Sequence, residues 1–495
     1  MVPMAESICG TFLENSGRLM ELGLGYLSLD RASSTLSTGE RQRMQLSRAV
    51  RNRTTGVLYV LDEPSIGLHP SNMTGLRGVI RDLVADGNSV VLVDHDTQLL
   101  SDTDWLIEMG PGAGTDGGRV VAQGTVADIV RDPSSIIGPY LAEGGRAGDT
   151  DDRCPDDPFA HGRLHISTDA IHTVGPLEVD IPLGRLTVVT GVSGSGKTTL
   201  VLESLVPALE SLVSGTPLPE HVLSVEAAGI SRVRLVDASP IGANVRSTVA
   251  TFSGVHDDLR RMFARTDDAR SSGLGAGDFS YNTGSLRCGT CDGTGEMCLD
   301  VQFLPDVVVP CPDCGGSRYG PAASAIRLGC PDGTFRTIPE VMGMEVRGAL
   351  SVFGSGGGIG RRLSVLDELG LGYLALGEGT PGLSGGEAQR LKLAGDMGRG
   401  QSDTVFVFDE PTIGLHPRDV ANLMGILRTL TSHGATVVVV EHDLDVIGGA
   451  DWILDMGPGG GEEGGRIVST GRPGDVARDP GSVTGRYIRG TDTTT

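Results

Sequence analysis

The residues Gly191-Val192-Ser193-Gly194-Ser195-Gly196-Lys197-Thr198-Thr199 fit the pattern G-x-x-x-x-G-K-[ST], and the chemistry of that spacing is phosphate binding. Glycines let successive backbone N–H groups converge on phosphate oxygens. The N-terminus of a following helix adds a positive dipole end. Lys197 reaches the terminal phosphates and Thr198 holds Mg²⁺. Lys197 and Lys392 are the only lysines of the chain, so one of the two stands where the motif demands it. Further on, Asp409-Glu410 closes an apolar run, Phe406-Val-Phe. Adjacent carboxylates at the end of a buried strand are costly unless they hold a cation or polarise water. Asp409 is the magnesium-side acid and Glu410 the general base for an attacking water. His442, after Val437–Val440, is placed to contact a γ-phosphate.

A second chemistry lies in the cysteines. Of eight, at 9, 154, 288, 291, 298, 311, 314 and 330, six fall within 43 residues and four form two C-x-x-C pairs, Cys288/Cys291 and Cys311/Cys314. In a reduced compartment that spacing reads as metal rather than disulfide. Cys298 lies inside the loop between the pairs, and Cys9, Cys154 and Cys330 have no evident partner.

Leu383-Ser384-Gly385-Gly386-Glu387-Ala-Gln-Arg390 resembles the signature of ABC ATPases, which implies Ser and Gly N–H groups that bind the γ-phosphate of a nucleotide held by an opposing domain. It has a counterpart in Leu36-Ser37-Thr38-Gly39-Glu40-Arg-Gln-Arg43. The two belong to an internal repeat with an offset of 347, from Leu19-Met-Glu-Leu-Gly-Leu-Gly-Tyr-Leu to Leu366-Asp-Glu-Leu-Gly-Leu-Gly-Tyr-Leu. The same offset carries Asp62, Glu63, His95, Trp105, Arg119 and Tyr140 onto Asp409, Glu410, His442, Trp452, Arg466 and Tyr487, without a gap over about 120 residues. Two copies of one module are present, and only the second carries the phosphate loop.

The elements that must position these groups follow from patterning. Leu36–Leu46 and Leu383–Leu393 read as helices opened by Ser. Val57–Leu61, Val90–Val93, Val405–Phe408 and Thr436–Val440 are short apolar runs that read as parallel strands buried on both faces. Leu186–Thr190 is the strand before the phosphate loop and Leu200–Leu209 the helix after it. Alternation of strands and helices gives an α/β sandwich: an ABC-type fold in two tandem, unequal copies. The expected division is 1–141 for the first copy, 142–162 for a polar, acidic, Gly/Pro-rich linker, and 163–490 for the second copy, with an inserted region at about 215–365 that holds a metal hairpin at 285–320.

The chain is acidic, with Lys+Arg 40 against Asp+Glu 63 and a net charge of −23, so it is no general polyanion binder. Nucleic-acid contact requires a local basic patch. Candidates are Arg246, Arg260, Arg261, Arg265, Arg270, Arg287, Arg318, Arg361 and Arg362. No run approaches ~18 apolar residues and the start carries no leader-like pattern, so the expected location is the cytoplasm.

These motifs resemble the UvrA family, the damage-recognition ATPases of bacterial nucleotide excision repair, over nearly all of residues 15–490. The stretches that carry the likeness are Asp62-Glu-Pro-Ser-Ile-Gly-Leu-His-Pro70, Asp409-Glu-Pro-Thr-Ile-Gly-Leu-His-Pro417, Val236-Asp-Ala-Ser-Pro-Ile-Gly242, Phe303-Leu-Pro-Asp-Val307, Trp105–Gly110 and Trp452–Gly457. The resemblance implies a Zn²⁺ hairpin held by Cys288, Cys291, Cys311 and Cys314, ATP and Mg²⁺ as ligands, homodimerisation, and sequence-independent duplex DNA binding, for which Arg246, Arg260, Arg261, Arg265 and Arg287 are the candidates that this sequence's own basic residues offer. Other excision-repair subunits are possible partners. This sequence departs from the family's pattern in showing no first phosphate loop, and the nuclease-partner-binding domain is expected to be missing with it. It also carries Ala238 where the family has the Gln that helps bind Mg²⁺, and Asp278 and Cys298 where basic residues are expected.

One composite ATP site is therefore expected. Lys197, Thr198, Asp409, Glu410 and His442 come from copy two, with Ser37, Gly39 and Glu40 from copy one. Ser384 and Gly386 are left facing no phosphate loop. Hydrolysis is expected to be slow and the chain is not itself a nuclease. The leading function is nucleotide-dependent DNA binding in excision repair. The alternatives are a self-resistance ATPase against a DNA-binding drug, a fragment that needs a partner chain, and, last, a transporter ATPase.

Overall fold

The computed structural model describes residues 2–36, 38–51, 55–112, 117–142, 157–237, 241, 244–299, 307–395 and 401–488. The chain divides into two compact units. The first comprises Met1–Pro111, Arg119–Asp237 and Gly400–Thr495; the second comprises Gly112–Gly118 and Ala238–Arg399. The second unit thus ends some thirty residues beyond the inserted region expected from sequence, and the strands just before Ala238 belong to the first.

In the first unit, copy one begins with the helix Val2–Glu21 and continues through the signature helix Thr38–Arg51. Its strands are β1 (Leu58–Asp62), β2 (Ser89–Val93), β3 (Leu106–Gly110) and β4 (Arg119–Gly124). β1 and β2 pair in parallel, β3 and β4 antiparallel, as two separate ribbons. The helix Pro70–Ala85 covers one face of the first ribbon with Met73, Leu76, Val79 and Leu83, together with Leu22, Leu46 and Leu99.

Copy two supplies β5 (Arg163–Thr168), β6 (Leu177–Pro182), β7 (Leu186–Gly191), β8 (Val222–Ala227) and β9 (Arg232–Val236). The second unit then contributes the two-stranded ribbons β10 (Glu296–Leu299) with β11 (Val307–Pro310), and β12 (Leu328–Gly329) with β13 (Phe335–Arg336). The chain returns to the first unit with β14 (Thr404–Asp409), β15 (Thr436–Val440), β16 (Trp452–Gly457) and β17 (Arg466–Gly471). One six-stranded sheet results, in the order β17-β16-β7-β15-β14-β9, beside a three-stranded antiparallel sheet, β6-β5-β8.

β7 is the central strand. It pairs in parallel with both β15 and β16, and all six of its residues are buried. Val188 and Val189 are β-branched and fully covered, as a strand with helices or sheet on both faces requires. The helix expected over Leu200–Leu209 starts as a wider π-helical turn, Thr199–Leu205, and becomes α-helical only at Val206–Ser214. Such turns cluster at functional sites, and this one opens directly from the phosphate loop.

Burial on both faces holds for β14 and β15 but not for β1 and β2, whose residues alternate between half-covered and exposed. The repeat makes the comparison direct. Val60, Val91, Ile107 and Met109 are 64%, 47%, 59% and 61% exposed, while their counterparts Val407, Val438, Leu454 and Met456 are at 0%, 0%, 1% and 1%. In copy two that face packs against Val189, Leu200, Val201 and Leu205. Among the described residues, copy one has no strand or helix in the corresponding place.

Candidate functional site

The phosphate loop joins the end of β7 to the π-helical turn. Gly191, Gly194 and Gly196 all have positive φ (139°, 77° and 97°), a conformation that costs glycine little and L side chains much. Lys197 is 6% exposed, and its Nζ donates to the Gly191 and Val192 carbonyls at 2.9 and 3.0 Å. Burial lowers the ammonium to about 8, against the raising influence of Glu410, Asp455 and Asp409. The hydroxyls of Ser195 and Thr190 are buried with no partner among the described residues. Buried polar atoms of this kind normally find one, and here they border the loop that would receive phosphates. Thr198 is exposed at the mouth. Thr199 turns away to donate to Glu203 at 3.2 Å.

Asp409 ends β14 and Glu410 follows at φ 46°; Glu63 in copy one has the matching φ of 47°. Non-glycine residues rarely sit there, and such strain concentrates at functional sites. Burial and then the neighbouring Glu410, Asp237 and Glu441 push Asp409 up to about 7, the state expected of an acid awaiting a cation. Burial also works against charge on Glu410, but His442, Lys197 and Arg43 outweigh it and hold its carboxyl below the ordinary range. His442 Nε2 lies 3.5 Å from Glu410 Oε1, and burial lowers the imidazole. Glu63 goes the other way: burial, with Asp62 and Asp94 behind it, raises its carboxyl against the pull of His95. The two glutamates of the repeat are thus in opposite electrostatic settings.

Copy one reaches into the site of copy two. Its loop Ser65-Ile66-Gly67 passes over the Glu410 carboxylate, so that a Cβ at Gly67 would lie 3.5 Å from Glu410 Oε2; reciprocally, a Cβ at Gly414 would lie 3.2 Å from Glu63 Oε1. Asn72 Nδ2 donates to Ser193 Oγ at 3.3 Å, and Ser193 Oγ to the Gly67 carbonyl at 3.4 Å. A cavity of about 340 Å³ lies between the copies, lined by corresponding residues such as Ser65 and Thr412, Ile66 and Ile413, and His95 and His442.

Each of these loops is pinned to its histidine by an acid. Glu441 accepts from Thr412 N at 2.9 Å, from His442 N at 2.6 Å and from the Thr412 hydroxyl at 2.5 Å. Asp94 does the same for Ser65 and His95. Sequence reasoning missed both acids, although the offset of 347 relates them. It also missed Asn72, and it gave no role to Arg43 in the signature or to Tyr26 in the repeat, whose ring lies against Gly194 and whose hydroxyl donates to Glu40.

Of the first signature, Gly39 and Glu40 are buried. A Cβ on Gly39 would meet the Ile66 carbonyl at 2.6 Å. Ser37 and Ala238 lie outside the described residues. Ser384 and Gly386 belong to the second unit, where Ser384 caps the helix Gly385–Ala394 through a reciprocal bond with Glu387.

Also in the second unit, the sulfur atoms of Cys288, Cys291, Cys311 and Cys314 all lie within 4.8 Å of one another. Cys288 and Cys311 are 3.9 Å apart, and Cys291 and Cys314 3.7 Å. A tetrahedron with metal–sulfur bonds of about 2.3 Å has edges near 3.8 Å, so the donor set fits Zn²⁺. Burial opposes ionisation of Cys288, but the N–H groups of Cys291 and Thr290 outweigh it and bring that thiol to about 7.

The arginines singled out for DNA are largely engaged. Arg246 and Arg287 share Asp292 at 2.8 and 3.1 Å; Arg260 pairs with Asp257, and Arg261 with Asp258. Arg265 is exposed and has no ion pair among the described residues.

Comparison with known proteins settles the kinship. No family model matches the chain. UvrABC system protein A of Thermus thermophilus is 43% identical over 491 residues, 98% of this chain and 50% of the relative. The protein of the same name from Deinococcus radiodurans is 42% identical over 477 residues, 95% of this chain and 46% of the relative. A crystal structure of UvrA2 from D. radiodurans superimposes with a TM-score of 0.89 at 40% identity, covering 98% of this chain and 58% of that one. The chain belongs to the UvrA family. It spans about half the length of the curated relatives it matches. The archaeal ribosome recycling factor aABCE1, in complex with the ribosomal stalk protein aP1, is 17% identical with a TM-score of 0.51, covering 96% of this chain and 76% of that one, a likeness of fold alone. Among the described residues, no helix is long and apolar enough to cross a membrane.

Proposed function

We propose that this UvrA-family chain is an ATPase that binds duplex DNA in a nucleotide-dependent way, within nucleotide excision repair. The observation that carries the reading is the meeting, in one compact unit, of the phosphate loop, Asp409, Glu410 and His442 with the Gly67 loop and Asn72 of copy one. In the proposed roles, the loop N–H groups and Lys197 hold the phosphates, and Thr198 and Asp409 hold Mg²⁺, which would neutralise phosphate charge. Glu410, kept anionic by His442, Lys197 and Arg43, accepts the proton of the attacking water. His442 holds Glu410 and faces the terminal phosphate. One nucleotide binds per chain, because the described residues contain a single phosphate loop, and turnover is slow.

The four-cysteine cluster holds Zn²⁺ and stiffens the loop around it. DNA is engaged without base readout, by phosphate contacts that depend on salt. Arg246, Arg260, Arg261 and Arg287 would have to exchange their aspartates for phosphates, whereas Arg265 is available at once. The chain works as a homodimer in the cytoplasm.

The test measures MgATP binding by calorimetry, ATP hydrolysis, and duplex affinity by fluorescence anisotropy with and without MgATP. Wild-type protein should bind about one MgATP and change its duplex affinity on doing so, and Lys197→Ala should lose both responses. Wild-type protein that binds no MgATP overturns the reading.

A further inference from the structure

We propose that Tyr26 is a positioning residue that braces the phosphate loop of copy two and ties its state to the first signature helix. The inference rests on the ATP site proposed above and names a residue to which the sequence assigned no role, although it stands in the repeated stretch Leu19–Leu27. Tyr26 precedes the signature helix Thr38–Arg51, yet its ring lies on a platform of copy-two backbone. A Cβ at Gly194 would be 2.5 Å from the ring's Cγ, and one at Gly461 would be 3.1 Å from the Tyr26 Cβ. Gly461 N in turn donates to the Gly194 carbonyl at 3.0 Å, so the two glycine segments form one surface under the ring. Gly194 stands at φ 77° in the middle of the phosphate loop. Glycine there leaves room for the ring as well as for the backbone turn.

The other end of Tyr26 is tied to the helix. Its hydroxyl donates to Glu40 Oε1, and Glu40 is 6% exposed. One turn further, Arg43 is 3% exposed, with Nε and Nη1 lacking an acceptor among the described residues. Its charge is felt by Glu40, Tyr26 and Glu410. A rigid aromatic side chain therefore links the glycines that must receive phosphate to the helix whose cation acts on the catalytic carboxylate. Copy two repeats the hydroxyl–glutamate bond as Tyr373 to Glu387, so the tie is a property of the module. The ring holds the loop in the turn that receives phosphate, and Glu40 ties that turn to the helix.

Two substitutions separate the two ends. Tyr26→Phe keeps the ring and cuts the tie to Glu40, so MgATP binding should stay within twofold of wild type while kcat falls at least fivefold. Tyr26→Ala removes the brace as well, and MgATP binding should weaken at least fivefold, with a melting temperature close to that of Tyr26→Phe. Tyr26→Ala with binding and kcat both within twofold of wild type overturns the proposal. So does an equal loss of binding in both variants. Wild-type protein that binds MgATP without turnover would refute hydrolysis alone, and Tyr26 would then be judged on the binding arm. Wild-type protein that binds no MgATP refutes the ATP site and this proposal with it.

Discussion

Glu63 and Glu410 follow the same strand in the two copies, share a strained φ near 46°, and are driven in opposite directions by their surroundings. Glu410 is held anionic by two cations and a histidine, while Glu63 lies among acids and has no lysine beside it. Glu410→Gln should therefore lower ATP turnover by at least 100-fold and leave MgATP binding intact, whereas Glu63→Gln should keep turnover within about twofold. Single-turnover hydrolysis of both variants checks this, and equal losses would dismiss the single-site model. The motifs told the two residues apart only by the phosphate loop that copy one lacks. Tyr26, Asn72 and Glu441 were illegible for a different reason. Each is one residue of a common type, and its role comes from what the fold sets against it rather than from any spacing. The repeat does pair Glu441 with Asp94 and Tyr26 with Tyr373, but it cannot say what either pair touches.

Among the elements, the cysteine hairpin was the most legible, because C-x-x-C spacing is itself a geometric constraint. The strands were legible in position to within a residue or so: Val57–Leu61 became Leu58–Asp62, and Thr436–Val440 is unchanged. Their cover was not, since an apolar run says that a strand can be buried and not whether a neighbour is present. The hairpin places β10 and β11 between the two C-x-x-C pairs and buries Cys288, Cys291 and Cys311 against Met297. Among the described residues Met297 is the one apolar side chain besides the cysteines in that cluster, so the Zn²⁺ proposed above would do most of the local work, on the order of 10 kcal/mol for such sites. Purified protein should contain about one zinc per chain by elemental analysis. Chelation, or Cys291→Ser with Cys314→Ser, should open residues 285–320 to proteolysis while leaving MgATP binding unchanged. Protein without zinc and with four freely titrating thiols would refute the site.

On the scale of the whole molecule, the unequal cover of the two copies has a measurable cost. Val60 and Ile107 show apolar side chains to solvent, and the same positions in copy two, Val407 and Leu454, are sealed. Exposed apolar faces beside unpaired strand edges invite association. Val60→Lys with Ile107→Lys should reduce concentration-dependent association in light scattering and shift stability by no more than about 0.5 kcal/mol. Val407→Lys with Leu454→Lys should leave little folded protein, since each would bury an unpaired charge. A loss of folding in both double variants would show that the face is covered in solution.

The sheet order has a further consequence, for the ribosome. β7 pairs with β15, which lies roughly 250 residues later in the chain, and Ala238–Arg399 of the second unit is encoded between them. At about 5–20 residues per second, the central strand waits roughly 10–50 s after synthesis for its partners. Throughout that interval Leu186–Gly191 has the neighbouring residues of β5, β6 and the helix after the loop to pack on, but neither of the strands that flank it in the finished sheet. Chaperone occupancy should peak there, and rare codons within the second unit would lengthen the most hazardous pause in making this protein.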